Sequence, residues 1–370
     1  MVHRTPHGIA RYVSRLADGL LTLREAGRLA YEPAFLIAPD CGEPVFARFP
    51  TLEARTPIHD PRELLELPGL IRKSGAALYH SPSYSSVVGS PCPWIVTVHD
   101  LNHLHFGSLA QKAYYQLILK RFARGAARLL TVSRFSRDEI ARWTGVAAER
   151  IGVVYNALDP QLAQPVPEAD VGAVLLRLGL SRGRYYLSLS NPKPHKNLAF
   201  LCEAHRAAGP DVAKWPLVLS VRESFPGAIS TGPLNDLESR ALLQAAGALV
   251  FPSLYEGFGL PPLEALVAGV PVVASDIPPH REGVEGIRDV ESSILWANPR
   301  DPRGWQEALK MAQSLKRPDA QVGVQLLERY SVDRIVSGMD RIYSEVLSKE
   351  NGHAKWPRAR VRPNPPKEEV

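Results

Sequence analysis

Two glutamates, Glu256 and Glu264, bracket a short stretch whose residue types suit an anionic ligand that also carries hydroxyl groups. Seven residues separate them, and among these Gly257 and Gly259 let a ligand approach the backbone without hindrance from a Cβ atom. Pro261 begins a proline pair that suits the first turn of a helix, and a helix N-terminus favours a phosphate through its free N–H groups and dipole. Because two acids beside a phosphate loop require hydroxyl partners, the pattern indicates a sugar or a ribose.

The elements around this stretch predict one βαβ unit. Residues 248–251 predict a buried strand before the loop, residues 263–268 a short helix, and residues 270–274 a second strand. Gly269 suits the end of the helix, and the proline at position 271 blocks its continuation. Strand, loop, helix and strand at this spacing imply a parallel sheet.

Two further polar residues follow predicted strands. Residues 94–98 form a dense β-branched run that ends at His99, and ligands of open α/β sheets gather at the carboxyl ends of strands. Lys196 stands at the entrance of a predicted helix, where its ammonium group can neutralise a diphosphate. His103 and His105 lie near His99, but no third ligand group has a regular spacing, so we expect no metal site.

The composition sets broad limits on the class of protein. A chain of 370 residues with 45% apolar residues predicts two domains of ordinary size. It contains no apolar run of about 18 residues and no convincing signal peptide at its start. The three cysteines are far apart, which favours a reducing compartment over a disulfide framework. The formal charge of +6 favours an anionic membrane surface over nucleic acid, since aromatic residues do not interleave the basic ones; plain solubility is the alternative.

The stretch EGFGLPPLEALVAGVPVVAS resembles the E-x7-E signature of retaining glycosyltransferases of family 4. The resemblance extends over residues 8–349 and includes the HD pair at His99 and the HKN run at Lys196. It implies the GT-B fold, an α/β architecture of two facing Rossmann-like domains with parallel sheets and a cleft between them.

The resemblance also implies roles for individual residues. Glu256 would bind the hydroxyl groups of the donor sugar, Glu264 the ribose, and His99 would lie near the sugar and its phosphate; Glu256 and His99 are therefore the expected catalytic residues. The expected donor-binding residues are Gly8, Asn191, Lys196, Gly257, Phe258, Gly259, Leu260 and Glu264.

Three features depart from the family pattern. Only seven residues precede Gly8, so either the first strand of the N-terminal sheet is missing or the chain starts late. Ser190 or Asn191 stands where the family commonly has an arginine, which leaves a two-cation clamp incomplete. The segment after residues 217–221 is short, which suggests a trimmed strand or helix.

We expect a domain boundary near residue 163, within a linker rich in proline and polar residues. Residues 1–163 would form the acceptor-side domain and residues 164–330 the nucleotide-sugar-binding domain. Residues 331–349 predict a helix that crosses back to the first domain, and residues 350–370 predict a disordered basic tail.

The expected activity is the transfer of a hexose, with mannose as a guess, from a nucleotide diphosphate sugar. The acceptor would be a glycan or a lipid-linked glycan in polysaccharide biosynthesis, with retention of the anomeric configuration and with no metal or other cofactor. We expect no nucleic-acid partner and a cytoplasmic location, with peripheral contact at the inner face of the membrane suggested by the basic helix predicted for residues 108–125. The alternatives are a sugar-nucleotide epimerase on the same fold and an inactive or truncated binding protein.

Overall fold

A computed structural model describes residues 8–56, 60 and 62–351. The expectations of a missing first strand before Gly8 and of a disordered tail concern residues that lie largely outside these ranges. The helices are α1 (Gly8–Glu25), α2 (Glu63–Ser74), α3 (Asn102–Phe106), α4 (Leu109–Tyr114), α5 (Lys120–Gly125), α6 (Arg134–Thr144), α7 (Glu168–Leu178), α8 (Leu198–Ala207), α9 (Pro210–Ala213), α10 (Asp236–Gln244), α11 (Leu260–Val267), α12 (Pro278–Val284), α13 (Pro302–Ala312), α14 (Ala320–Arg329) and α15 (Val332–Asn351).

The strands are short and alternate with the helices. They are β1 (Phe35–Ile37), β2 (Thr51–Glu53), β3 (Tyr79–Ser81), β4 (Trp94–Thr97), β5 (Arg128–Thr131), β6 (Ile151–Val153), β7 (Tyr186–Ser188), β8 (Leu217–Leu219), β9 (Ala228–Ser230), β10 (Ala248–Phe251), β11 (Val272–Ser275) and β12 (Ile294–Ala297).

The chain divides into two compact units. Unit 1 contains the residues up to Ala157 and those from Val332 onwards, and unit 2 is Leu158–Ser331. The expected boundary near residue 163 therefore lies inside unit 2. The reason is hydrogen bonding between distant segments, since the Leu158 N–H donates to the Tyr330 carbonyl and the Val166 N–H donates to the Gln244 side chain.

Unit 1 is built on parallel strands. β3, β4, β5 and β6 form one parallel sheet in chain order, and β1 and β2 form a separate parallel pair. Helix α1 buries a stripe of apolar side chains, which includes Val13, Leu16 and Leu20, against a core that also takes in Met339 of α15. Each fully buried side chain of this size contributes about 1.5–3 kcal/mol to folding.

Helices α1 and α15 meet at Gly19. A Cβ atom at this position would lie 2.4 Å from Cγ2 of Val336 and 3.0 Å from Cγ1 of Val332. The glycine therefore allows the close approach of the two helices within unit 1.

The substitution Gly19→Ala is expected to destabilise the protein by about 1–3 kcal/mol through overpacking against Val336, despite the better helix propensity of alanine. Urea unfolding followed by circular dichroism measures the change. Gly172→Ala in α7 is the matched control, because a Cβ there meets nothing within 4 Å and should add about 1 kcal/mol of stability. The second change Val336→Ala should recover part of the loss, and an equal response at Gly19 and Gly172 would contradict the contact.

Several local expectations were wrong. The sequence predicts a helix over residues 61–73 that breaks at Pro68, but α2 runs through this proline. It also predicts irregular chain over residues 44–60, but β2 lies there. Ser136 is the N-cap that the sequence predicts for α6, but Ser133 caps the helix, because its side chain accepts the Ser136 N–H at 3.0 Å. The segment thought to be trimmed contains β9, which pairs with β8.

Unit 2 contains a six-stranded parallel sheet in the order β12-β11-β10-β7-β8-β9. Numbered within the unit and taken from the other edge, this is the order 3-2-1-4-5-6 of a doubly wound dinucleotide-binding sheet. The central strands β10 and β11 are buried along their whole length, which explains their continuous apolar sequences. The direction of strand addition reverses between β7 and β10.

Candidate functional site

The loops that follow β7 and β10 lie next to each other at the carboxyl edge of the sheet. β7 and β10 are paired in parallel, with Ala248 opposite Tyr186. The loop after β7 carries Lys196, and the loop after β10 carries Glu256. In doubly wound sheets the ligand binds outside the carboxyl ends of the strands at the point where the strand order reverses. The topology alone therefore places these two residues at the expected ligand site of unit 2.

Lys196 and Glu256 form a largely buried ion pair. Nζ of Lys196 lies 2.6 Å from Oε1 of Glu256, and the two side chains are 14% and 12% exposed. The same ammonium group lies 5.3 Å from the centroid of the Phe251 ring, within the range of a cation–π contact. Burial raises the pKa of Glu256, but the positive charge of Lys196 and the hydrogen bond from its ammonium group outweigh this effect, so the pKa is lowered and the carboxyl group stays ionised.

Hydrogen bonds to backbone carbonyl groups connect the two loops. The Leu254 N–H donates to the His195 carbonyl at 2.8 Å. The side-chain amide of Asn197 donates to the carbonyl oxygens of Pro252 at 3.3 Å and of Pro299 at 3.0 Å. Asn197 adopts a left-handed backbone with φ 59°, which turns the chain into α8 directly after Lys196. These bonds hold the lysine in register with the glutamate.

Helix α11 begins at Leu260, three residues earlier than the sequence indicated, directly after Gly259 with φ 88°. The two prolines that follow Leu260 have no N–H group, so the backbone donors that this helix end can offer a ligand are those of Gly259 and Leu260. The Phe258 ring is buried against the Tyr330 ring, with centroids 5.3 Å apart. Phe258 can therefore reach a ligand only through its backbone.

Glu264 lies one turn into α11 and is 8% exposed. Its carboxylate makes no hydrogen bond or ion pair with the residues that the structure describes. A carboxylate in such a position must be solvated or bound by a ligand, since an unpaired buried charge is costly. Glu264 is thus available for hydroxyl groups.

His280 is a residue of this site that the sequence did not reveal. It lies in α12, and its Nδ1 donates to the Ser275 carbonyl at 2.9 Å. Its ring contacts Gly259, because a Cβ atom there would lie 2.4 Å from Cδ2. The available signal was the proline pair at positions 278 and 279 after a predicted strand, which marks a helix start in the same way as the pair after Leu260.

Three other candidates make contacts or occupy positions of their own. His99 and Gly8 belong to unit 1, where Nε2 of His99 donates to the Pro82 carbonyl at 2.8 Å and the ring contacts Tyr12 edge-on at 4.9 Å. Burial lowers the pKa of His99, which keeps the ring neutral. Gly8 is exposed at the first residue of α1. Asn191 is exposed in the loop after β7, where its side chain accepts the Lys193 N–H at 3.4 Å.

The described part of the chain contains no group of three or more histidine, cysteine, aspartate or glutamate side chains arranged to hold a metal ion. Lys196 supplies the positive charge of the buried ion pair at the carboxyl edge of unit 2, and the start of α11 adds the positive end of a helix dipole.

Family models match both units of the chain. The model described as Glycosyltransferase Family 4 matches residues 6–162, and the model described as Glycosyl transferases group 1 matches residues 193–313. Two parallel α/β units with this topology have the GT-B fold, as the sequence predicted. The chain belongs to glycosyltransferase family 4.

Curated relatives cover part of the chain. The O-antigen chain mannosyltransferase RfbU of Salmonella typhimurium is 30% identical over 243 residues, which are 61% of this chain and 62% of the relative. The O-antigen chain mannosyltransferase B of Escherichia coli is 31% identical over 204 residues, which are 50% of this chain and 53% of the relative. The matched region thus spans less than two thirds of the length of these relatives.

Solved structures share the fold of nearly the whole chain. Anabaena Alr3699/HepE, solved in complex with UDP and glucose, matches 93% of this chain and 98% of its own with a TM-score of 0.71 and 16% identity. WaaG, a glycosyltransferase involved in lipopolysaccharide biosynthesis, matches 92% of this chain and 98% of its own with a TM-score of 0.67 and 13% identity. At 16% and 13% sequence identity, the similarity to these structures shows a shared fold.

Proposed function

We propose that unit 2 binds a nucleotide diphosphate sugar and that the protein transfers its hexose to a glycan or lipid-linked glycan in polysaccharide synthesis. The observation that carries this proposal is the Lys196–Glu256 pair at the strand-order reversal, followed by the unpartnered carboxylate of Glu264 in α11. Mannose is the proposed sugar, because curated relatives at about this similarity are named mannosyltransferases.

The charges of the site fit the parts of such a donor. Lys196 and the backbone N–H groups near Gly259 and Leu260 suit the diphosphate. Glu256 suits the hydroxyl groups of the sugar, and Glu264, one turn along α11, suits those of the ribose. Each acidic group would accept hydrogen bonds from hydroxyl donors, so that no buried carboxylate is left unpaired.

In the proposed reaction the bond between the anomeric carbon and the diphosphate oxygen breaks, and the acceptor oxygen bonds to that carbon on the same face. The electron pair goes to the leaving diphosphate, which also takes the acceptor proton. Lys196 and the N–H groups stabilise the charge that develops there. Glu256 positions the sugar, and His99 is proposed to lie on its acceptor side.

A donor panel tests the proposal. A nucleotide sugar at about 100 times its dissociation constant should stabilise the native state by about 2.7 kcal/mol and raise the melting temperature by several degrees. The donor found in this way is then incubated with lipid-linked glycan acceptors, and nuclear magnetic resonance of the product shows the configuration at the new linkage. An inverted product would contradict retention, release of an epimer without an acceptor would indicate an epimerase, and binding without turnover would indicate a binding protein.

Removal of divalent metal is expected to leave the transfer rate within about twofold of the untreated enzyme, because Lys196 and the N–H groups supply the electrostatic stabilisation. The measurement compares nucleotide release before and after dialysis against a chelator. Loss of activity that returns with added Mg²⁺ or Mn²⁺ would contradict the expectation.

We also propose a peripheral contact with anionic lipid, and a cytoplasmic location from which that contact is made. An exposed stripe runs along α4, the π-helical turn Tyr115–Leu119 and α5. It consists of Leu109 (86% exposed), Ala113 and Leu117 (68% exposed), followed by Arg121 and Arg124. An apolar stripe that ends in basic residues suits a surface of acyl chains and negative headgroups. No described helix has the length and apolar content needed to cross a membrane.

The double change Leu117→Glu and Arg121→Glu is expected to reduce cosedimentation with vesicles that contain anionic lipid by at least about tenfold, since each basic residue contributes about 1 kcal/mol near such a surface. Binding by the unmodified chain should weaken with added salt. Leu176→Glu in α7 is the matched control, because Leu176 is 84% exposed on the other unit. Equal vesicle binding by all three proteins would contradict this surface.

A further inference from the structure

His280 is a buried histidine with a ring nitrogen that the proposed function leaves unused. Its side chain is 2% exposed, and Nδ1 lies 2.9 Å from the Ser275 carbonyl oxygen, which can only accept, so that Nδ1 carries the hydrogen. Nε2 then presents a lone pair, and no group among residues 8–56, 60 and 62–351 donates to it. A buried acceptor without a partner is costly, which suggests a role in a second state of the site.

Nε2 faces the loop that holds the donor in the proposed function. A Cβ atom on Gly259 would lie 2.8 Å from it, and Gly259 directly precedes α11. The His280 ring is 5.5 Å from the Phe251 ring, and Nζ of Lys196 is 5.3 Å from that same ring. The imidazole and the ammonium group therefore share one aromatic neighbour at the end of β10.

The charged groups around His280 come from three loops. Lys196 follows β7, Glu256 follows β10 and Asp276 follows β11, where Asp276 is held by Arg281 at 2.7 Å. Burial lowers the pKa of His280, and the cation of Lys196 lowers it further against the opposing effects of Glu256 and Asp276. The ring is consequently neutral in the protein without a donor.

A nucleotide diphosphate sugar brings two negative charges to this site. Lys196 then interacts with the diphosphate as well as with Glu256. Less positive charge therefore remains to balance the negative charge of Glu256, which is largely buried. We infer that donor binding draws one proton from the solvent onto Nε2 of His280. The resulting imidazolium ion then balances the charge of Glu256 in place of Lys196, which interacts with the diphosphate. This inference rests on the proposed function, and no bond of the donor forms or breaks in the step.

The expected pH dependence of donor affinity follows from the direction in which donor binding changes the pKa of His280. Two added anions and a partly withdrawn cation both raise the pKa of His280 in the complex. The donor then binds the protonated protein more tightly, so its affinity increases as the pH falls between the pKa values of the complex and of the free protein. We expect a gain of about 10- to 50-fold between about pH 8 and about pH 6.

Titration calorimetry with GDP-mannose and UDP-glucose tests this inference. Nucleotide sugars are used because the terminal phosphate of a free nucleoside diphosphate titrates near pH 6 itself. At neutral pH the heat of binding, measured in buffers of different ionisation enthalpy, should report uptake of about 0.5–1 proton per donor bound. His280→Gln should bind the donor with almost no proton uptake and without the gain in affinity at low pH.

His205→Gln is the matched control, because His205 is also a buried histidine of unit 2, but its Nε2 already bonds to the Trp215 carbonyl at 2.9 Å. This variant should keep the proton uptake. Donor binding without uptake in the unmodified protein, or uptake that persists in His280→Gln, would overturn the inference while leaving the proposed function in place. If neither nucleotide sugar binds any form of the protein, the proposed function fails and this inference fails with it.

Discussion

Replacing Lys196 with methionine is expected to lower kcat/KM by at least about 100-fold and to destabilise unit 2 by about 3 kcal/mol. The first effect follows from the loss of the cation that is proposed to stabilise the leaving diphosphate. The second follows from the unpaired charge that the change leaves on Glu256, whose side chain is 12% exposed. Glu256→Gln should also abolish transfer and should leave the ammonium group of Lys196 without its partner.

The double variant Lys196→Met, Glu256→Gln separates the two effects. It removes both charges at once, so it should recover most of the lost stability while remaining inactive. Urea unfolding and nucleotide release are measured for the four proteins of the cycle. Lys193→Met, in the same exposed loop, is the control and should change stability by less than about 0.5 kcal/mol. Near-normal transfer by either single variant at the ion pair would show that the pair is not the donor site.

Gly259→Ala is expected to cost about 3 kcal/mol or more of stability and to abolish donor binding. Two penalties combine at this residue. Its φ of 88° lies in the left-handed region, which costs an L-residue about 1–2 kcal/mol, and the added Cβ would lie 2.4 Å from Cδ2 of His280. Because His280 is buried and tied to Ser275, the ring cannot move aside without breaking that bond.

The matched control for this change is Gly269→Ala. Gly269 has φ 73°, but a Cβ atom there meets nothing within 4 Å, so only the backbone penalty of about 1–2 kcal/mol applies. Thermal unfolding and donor titration are measured for both variants. A combined Gly259→Ala, His280→Ser variant should recover stability relative to Gly259→Ala alone, and equal losses at Gly259 and Gly269 would contradict the steric contact.

The sequence was most informative where local pattern and topology agree. The strand before Glu256 was predicted at its true bounds, because a run buried on both faces has no polar interruption. The parallel arrangement followed from the βαβ spacing, and the family resemblance supplied the GT-B fold. Lys196 and Glu256, 60 positions apart, were assigned to one site by that resemblance, but their direct ion pair was not foreseen.

What the sequence could not supply depends on contacts between distant segments. His280 enters the site through its contact with Gly259, and in the 20 residues between them the proline pair at positions 278 and 279 indicates a helix start but not that contact. The three-residue strands β2 and β9 are too short to show a periodicity, so pairing with a neighbour defines them. The end of unit 1 at Ala157 was also missed, because it depends on the hydrogen bond between Leu158 and Tyr330.

Unit 2 is one uninterrupted stretch of chain, whereas unit 1 is assembled from two stretches that flank it. A gene fragment that encodes residues 158–331 therefore contains Lys196, Glu256, Glu264 and His280, the residues of the donor site proposed for unit 2. Deleting helix α15, by contrast, would remove Val332 and Val336 from the Gly19 face of α1 and would destabilise unit 1.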